Sequence, residues 1–335
     1  MAVPLGRGLV KPPLWAALAA LCVAGLRDAA AQEIFGLAGA MSADSPDGGH
    51  SYAWLISYQQ ELGEHLAASF SYQNEGHVPN HHRDGHSLQL WGKTKAFSPK
   101  LSFAAGAGPY RYYDTTVASG ASTSDYSNAH GYGVLYSATA TWSATGRWLY
   151  QVRLDHVETK KSIDTTELVF GIGYKLEKDD ASVYRGSESR PAAKRDEVTL
   201  LAGVTIVNSF NSDRDNAIAA SIEYRHAFGP VFRGSIAWLN EGDPNLVGRY
   251  GIVTQGWYEP SFYGDRFTLG IGLGVYVAVD EEREGDHDAF AAGIFTMTAS
   301  YRIGHEWTAR FSWSRVLSNY DRDTDILLFG VGYRF

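Results

Sequence analysis

The residues best suited to chemistry lie together in one short stretch, between Asn74 and Ser87. Four of the chain's 11 histidines fall there, beside two carboxylates and a serine. Imidazole titrates near neutral pH and can move a proton between a hydroxyl group and a leaving group. A carboxylate can fix the tautomer of an imidazole, and a serine can act as a nucleophile or as a donor to an oxyanion. The stretch therefore has the residue types of an acyl-transfer site.

The strand that is predicted to follow this stretch limits which of these side chains can act together. Alternating residues of a strand face opposite sides, so Ser87 is predicted to face inward while the adjacent His86 faces the other way. This favours His77 or His82 as the base for Ser87. A carboxylate in the stretch, or one at the end of the next strand, is predicted to orient the histidine. The predicted catalytic residues are His77, His82, Asp84, Ser87 and Asp114.

Two other interpretations of the stretch stay open, a solvated surface loop and a metal site. The histidine spacing suits no closed structural metal set, and the only cysteine, Cys22, lies far away in the chain. The metal site is therefore the less favoured of these two interpretations, and we predict no metal and no cofactor.

The composition limits the scaffold that can position these residues. The 335 residues are 44% hydrophobic, 13% aromatic and 20% charged, which excludes a disordered chain. A formal net charge of -8 argues against a protein that clamps a nucleic-acid backbone. No apolar run reaches the roughly 20 residues that a membrane-spanning helix needs. A soluble β-protein or a membrane β-barrel remains.

The amino terminus predicts export. Arg7 and Lys11 precede a short apolar core at residues 14–26, and the small residues 29–31 follow. This order is typical of a secretory signal peptide, which we predict over residues 1–31. Cleavage there leaves an acidic chain without cysteine, which fits the bacterial envelope.

The rest of the chain alternates polar and apolar residues with a period of two, which indicates strands. The clearest case is the carboxyl terminus, where one face carries Leu327, Phe329, Val331, Tyr333 and Phe335. This segment resembles the terminal strand of bacterial outer-membrane barrels, which implies the barrel-assembly machinery as a partner through Phe335.

Long polar connections alternate with tight turns along the chain. Long connections are predicted at residues 74–85 and 113–130, for example, and tight turns at residues 61–64 and 144–147. Long outer loops and short periplasmic turns are typical of transmembrane barrels. We therefore predict a bacterial outer-membrane location.

The sequence also repeats. Asn74-Glu75-Gly76 recurs as Asn240-Glu241-Gly242, and several later matches keep the same offset. The histidine cluster is found in the first copy only, as expected if the shared residues build the hairpin and one site survives duplication. Each copy holds eight predicted strands.

The predicted fold class is therefore all-β, a transmembrane antiparallel β-barrel of sixteen strands in two eight-stranded repeats. The connector between the repeats is much longer than the other periplasmic turns, which favours two tandem small barrels over one wide barrel. The predicted domains are a signal peptide at 1–31, a first barrel at 32–180, a linker at 181–195 and a second barrel at 196–335.

The strand number, the size of each copy and the position of the polar cluster resemble the small outer-membrane enzymes that remodel lipid A. These are the PagP-type palmitoyltransferases and the PagL-type deacylases. The string of residues from Asn74 to Gly85 is similar to one in a divergent palmitoyltransferase group. The resemblance implies a lipid A acyltransferase or deacylase at the outer leaflet, with outer-membrane lipids and lipopolysaccharide as partners. The alternative is a porin or a structural, surface-binding barrel without enzymatic activity.

Overall fold

The computed structural model describes residues 31–44, 48–95, 98–118, 120–123, 125–176, 194–210, 216–243, 247–281 and 289–335. The predicted signal peptide, except for Ala31, and most of the predicted linker lie outside the described residues. Within these ranges the secondary structure consists of strands and turns. No helix in the described part of the chain is long and apolar enough to cross a membrane.

The first barrel closes through eight antiparallel strands. They are β1 (Gln32–Asp44), β2 (His50–Glu61), β3 (Leu66–Val78), β4 (His81–Lys95), β5 (Leu101–Val117), β6 (Tyr126–Ser143), β7 (Trp148–Thr159) and β8 (Asp164–Lys175). Each strand pairs with its neighbour in the chain, and β1 pairs with β8 to complete the ring.

The second barrel repeats this arrangement with one short extra strand. Its strands are β9 (Asp196–Val207), β10 (Asn216–Ala227), β11 (Phe232–Asn240), β12 (Arg249–Tyr258), β13 (Ser261–Phe262), β14 (Phe267–Asp280), β15 (Phe290–Ile303), β16 (Trp307–Leu317) and β17 (Thr324–Arg334). The ring closes because β9 pairs with β17 and β12 pairs with β14, which leaves β13 outside it. Two closed eight-stranded barrels are therefore confirmed, and the single wide barrel is wrong.

Alternation along each strand separates an apolar outside from a mixed interior. On β7, Val152 and Leu154 face outward with about half of their surface exposed (51% and 49%), whereas Arg153 and Asp155 are buried inside. Each interior also holds a buried apolar cluster, which in the first barrel includes Leu55. The core of each barrel is thus its own filled lumen.

Two predicted long connections are shorter in the structure. β3 continues to Val78 and β4 begins at His81, so the stretch predicted as a loop at residues 74–85 is a hairpin with a two-residue turn. The connection predicted at 113–130 shrinks in the same way, because β5 runs to Val117 and β6 begins at Tyr126. Polar residues continue these strands because their side chains face the polar lumen or the neighbouring barrel.

The two barrels lie side by side in the same orientation. Outward residues of the first barrel meet outward residues of the second: the rings of Phe70 and Phe295 stack with centroids 5.7 Å apart. We call the end of each barrel at which its chain begins and ends the proximal end, and the opposite end the distal end. Distal residues of the two barrels also touch, since the Asn128 backbone N–H donates to Asp321 Oδ1 at 2.7 Å.

Candidate functional site at the distal mouth of the first barrel

A bulge near the distal end of β3 turns a carboxylate into the lumen. Asn74 Oδ1 accepts a hydrogen bond from the Gly76 backbone N–H at 3.1 Å, and the pairing register with β4 slips at this point. Gly76 has a φ of 66°, and a Cβ there would lie 2.3 Å from Ser51 Oγ, so only glycine fits. The bulge directs the Glu75 side chain inward.

The second barrel has the same local turn at the corresponding place, directly after β11 ends at Asn240. Asn240 Oδ1 accepts from the Gly242 backbone N–H at 2.7 Å, and Gly242 has a φ of 81°. A Cβ on Gly242 would lie 2.4 Å from the carbonyl oxygen of Ile218. The shared Asn-Glu-Gly motif therefore forms the same turn in both barrels, within β3 in the first and at the end of β11 in the second.

Each inward glutamate meets a buried arginine. In the first barrel Arg83 Nη2 donates to Glu75 Oε1 at 2.7 Å and to Thr165 Oγ1 at 2.8 Å. In the second barrel Arg249 Nη2 donates to Glu241 Oε2 at 2.8 Å and to Thr324 Oγ1 at 2.7 Å. We call these the Glu–Arg–Thr clusters. All of their side chains are buried, so each cluster fills its lumen below the distal mouth.

Further ion pairs fill the lumens towards the proximal end. Arg153 Nε lies 2.8 Å from Asp155 Oδ1, and Arg153 Nη2 donates to Gln89 Oε1 at 2.9 Å. In the second barrel Arg310 Nη2 donates to Glu197 Oε1 at 2.7 Å. Charged side chains therefore cross both described lumens.

A histidine, an aspartate and a serine meet above the first cluster, at the distal mouth. His81 Nδ1 lies 2.8 Å from Asp114 Oδ2, and Ser162 Oγ donates to the same oxygen at 2.7 Å. Asp114 is buried, whereas His81 is partly exposed at the rim. Asp114 Oδ1 is buried without a hydrogen-bond partner among the described residues. We call His81, Asp114 and Ser162 the mouth triad, a name for their position only.

The predicted catalytic residues occupy four separate places, one of which, that of Asp84, is described below. Asp114 lies in the mouth triad. His77 and His82 pair across the hairpin with ring centroids 3.8 Å apart, on the opposite face of β4 from His81. Ser87 faces the lumen, as predicted, and its buried Oγ has no hydrogen-bond partner among the described residues. The structure records no contact that joins Ser87 to either histidine of the pair.

Asp84 belongs to the contact between the barrels. Arg315 of the second barrel donates to both Asp84 oxygens, at 2.9 and 2.7 Å, and also to Asp325. The Tyr72 hydroxyl donates to Asp84 Oδ2 at 2.7 Å. Asp84 thus sits on the outward face of β4, where it holds a cation of the neighbouring barrel rather than orienting His77 or His82.

The described residues of the second barrel form no mouth triad. Val247 stands at the position that corresponds to His81, and it is buried. Asp280, which corresponds to Asp114, accepts from the Gly248 backbone N–H at 2.9 Å and from the Tyr320 hydroxyl. Burial raises the pKa of the Tyr320 hydroxyl, which therefore stays protonated and remains a donor. This carboxylate is occupied by structural hydrogen bonds.

His81 is the residue of the candidate site that the sequence analysis did not select. Its signal was the alternation of β4: His81 shares the inward side with Arg83 and Ser87, whereas His82 does not. The assumption of a loop over residues 74–85 hid this alternation. Among the described residues, no three histidine, cysteine, aspartate or glutamate side chains converge on a possible metal position.

No protein-family model matches the chain, and no curated protein matches it. Several solved structures are similar to it. The N-terminal β-barrel domain of Pseudomonas aeruginosa OprF is 14% identical, over 44% of this chain and 99% of that chain, with a TM-score of 0.35. Neisserial surface protein A is 17% identical, over 43% and 96%, with a TM-score of 0.34. The Ralstonia pickettii toluene transporter TbuX is 10% identical, over 93% and 91%, with a TM-score of 0.25. These similarities concern the fold.

Proposed function

We propose that the chain is a bacterial outer-membrane protein whose first barrel carries out acyl-ester chemistry on lipid A at the outer leaflet. The membrane placement is supported by the closed barrels and by their apolar outside. Outward residues such as Val152, Phe170 and Leu273 are at least half exposed. An apolar surface of this extent is unfavourable in water and matches the lipid-facing band of a barrel. We take the chain termini to lie on the periplasmic side, which places the distal ends of both barrels at the outer leaflet.

The contact between His81 and Asp114 is the observation that carries the enzymatic proposal. A carboxylate beside Nδ1 keeps the proton on that nitrogen, which leaves Nε2 as a proton acceptor. Ser162 donates to the same carboxylate and holds it in place. The pair lies at the mouth, where an ester-linked acyl chain of an outer-leaflet lipid can reach it from the rim. In the part of the chain that the structure describes, the pair is found in the first barrel only.

The reaction needs one attacking hydroxyl group, from water or from a lipid acceptor. Its oxygen forms a bond to the ester carbonyl carbon while its proton passes to His81 Nε2. The bond from the carbonyl carbon to the ester oxygen then breaks, and the imidazolium returns the proton to the departing alkoxide. Attack by water removes the acyl chain, and attack by a lipid hydroxyl transfers it. Ser87 lies inside the lumen and takes no part in this scheme.

Lipid A mass spectra test the proposal. Purified full-length protein is incubated in detergent with lipopolysaccharide, and we expect acyl chains to be lost or gained. Since general base catalysis contributes on the order of 10²–10⁴-fold, His81→Gln should lower the rate by at least about 100-fold. Asp114→Asn should also lower it. His50→Gln, an exposed histidine at the distal end of β2, is the matched control and should keep full activity.

Unchanged lipid A acylation with folded wild-type protein would contradict the enzymatic proposal. A second candidate function would then stand, a non-conducting barrel pair that acts through its surface. The observation that favours it is the pair of Glu–Arg–Thr clusters, which fill both lumens without supplying a reactive group. This candidate expects almost no current in planar bilayers, and a large steady current would contradict it.

A further inference from the structure

Three buried polar side chains face the lumen of the first barrel on the proximal side of its Glu–Arg–Thr cluster. Strands β3 and β8 meet across the lumen in that cluster, because Thr165 Oγ1 donates to Glu75 Oε1. Gln73 and Glu167 are the next inward residues of these two strands towards the proximal end, so they face each other just below the cluster. Ser87 lies at the same depth on β4, whose residue Ser87 pairs with Ser71 of β3.

The polar atoms of these three side chains have no hydrogen-bond partner among the described residues. This holds for both Glu167 oxygens, for Gln73 Oε1 and Nε2, and for Ser87 Oγ. All three side chains are buried, Gln73 and Glu167 completely. Burying a polar group without a partner is unfavourable, and burying an isolated carboxylate is far more so. Such groups are normally satisfied by a bound water molecule or ion, so the three side chains indicate a small bound species.

The charges around Glu167 indicate the sign of that species. Glu75 is neutralised by Arg83, and Asp155 is neutralised by Arg153. Asp155 stands directly opposite Glu167 in the pairing of β7 with β8, where like charges repel each other. Glu167 therefore leaves one net negative charge in this part of the lumen, which one monovalent cation neutralises.

The second barrel is apolar at the same place. Its residues at the three corresponding positions are buried members of one apolar cluster, namely Leu239, Val253 and Ile326. The residue opposite Ile326 is Ser314, so the second carboxylate is absent there as well. Both barrels keep the Glu–Arg–Thr cluster, and a barrel of this kind therefore closes without the three polar side chains.

We propose that the lumen of the first barrel binds one alkali-metal cation of the Na⁺ class. The Glu167 carboxylate and Gln73 Oε1 are its ligands from opposite sides of the lumen, and Ser87 Oγ is a further ligand. Hard cations take oxygen ligands of these kinds. A divalent cation would leave an excess positive charge where water does not solvate it. The sequence-based prediction of no metal rested on histidine and cysteine spacing, which does not bear on such a site.

Equilibrium dialysis of the full-length protein in detergent against radioactive sodium tests the inference. We expect one bound Na⁺ per chain. The urea midpoint should also rise saturably with NaCl while choline chloride keeps the ionic strength constant, because a ligand of the folded state stabilises it. Glu167→Gln should weaken Na⁺ binding by at least about tenfold, because the buried negative charge is lost. Gln73→Leu should weaken it less, since it removes a neutral ligand.

Two further variants control for folding and for general charge effects. The triple variant Gln73→Leu, Ser87→Val and Glu167→Ile gives the first barrel the apolar residues of the second. It should fold, bind no Na⁺ and have a urea midpoint that does not depend on NaCl, which keeps the test valid if Glu167→Gln does not fold. Glu64→Gln removes an exposed carboxylate at the proximal end and should bind Na⁺ like the wild type.

The possible outcomes are distinct. Folded wild-type protein without bound Na⁺ would overturn the inference, and an infrared carboxylic-acid band that Glu167→Gln removes would then assign a proton to Glu167. Binding of one Ca²⁺ in place of Na⁺ would overturn the monovalent assignment. The site is separate from the mouth triad, so His81→Gln should keep its Na⁺. Loss of lipid A modification with retained Na⁺ would therefore count against the enzymatic proposal alone.

Discussion

The two barrels share the residues that fill their lumens and differ at their distal mouths. Glu75 and Arg83 in the first barrel correspond to Glu241 and Arg249 in the second, with the same threonine partner in each. The mouth triad of the first barrel has no counterpart, since Val247 replaces the histidine. The comparison separates residues that both barrels of this chain share from residues that belong to the candidate site alone.

The shared clusters persist for a physical reason. A buried carboxylate and a buried guanidinium neutralise each other in a medium of low dielectric constant, and losing one leaves the other unpaired. A substitution on either side is therefore strongly unfavourable unless its partner changes too. His81 at the mouth is under no such constraint, because it is partly exposed to solvent.

Breaking the cluster in either barrel should have the largest effect. We expect Arg83→Met and Arg249→Met each to lower the free energy of unfolding by about 3–5 kcal/mol, because a buried glutamate loses its partner. Urea unfolding of the detergent-refolded protein measures the loss. The double variants with Glu75→Gln or Glu241→Gln should recover most of it. A large loss in only one barrel would show that the clusters are not equivalent.

The contact between the barrels should come next. Arg315→Met leaves Asp84 and Asp325 facing each other without a cation, and we expect a loss of about 3 kcal/mol. A disulfide between Phe70→Cys and Phe295→Cys reports whether the barrels stay together, and its yield should fall in the Arg315→Met background. Asp84→Asn keeps a hydrogen-bond acceptor and should have the milder effect. An unchanged yield would mean that the aromatic contacts alone hold the barrels.

The glycine of the bulge should be more sensitive than a glycine of a turn. Gly76→Ala combines a positive φ with a clash against Ser51 and should cost about 2–3 kcal/mol. Gly146 has a φ of 78° but open space around it, so Gly146→Ala should cost only about 1 kcal/mol. The same unfolding measurement compares them. Equal losses would show that backbone strain, rather than the clash, restricts the bulge.

Ion pairs at the proximal ends should matter least. Glu61 pairs with Lys93 at the partly exposed end of the first barrel, and Glu61→Gln should cost about 0.5 kcal/mol or less. The matched variant in the second barrel is Glu306→Gln, because Glu306 pairs with Lys194 at the partly exposed proximal end of that barrel. Both effects should vanish at high salt, because mobile ions screen exposed charges. A salt-independent loss for Glu61→Gln would mean that this pair resembles the buried clusters.

The sequence predicted the strands and the closure because both depend on local patterns. Alternation identifies the inward face, and the long connector separates the two rings. It placed Ser87 inside the lumen correctly for the same reason. It missed His81 because the bulge at Asn74-Glu75-Gly76 shifts the register and keeps a polar stretch within the strands. It also missed the partner of Asp84, since alternation shows that a residue faces outward but not whether lipid or another barrel lies there.

The position of Asp84 has a consequence for how the protein is made. Without the second barrel, the Asp84 carboxylate on the outward face of the first would lack the cation that Arg315 supplies. We therefore expect the two halves to depend on each other, because a chain truncated after the linker keeps an unpaired carboxylate on the outward face of its only barrel. Because one chain contains both barrels, Arg315 is always made together with Asp84.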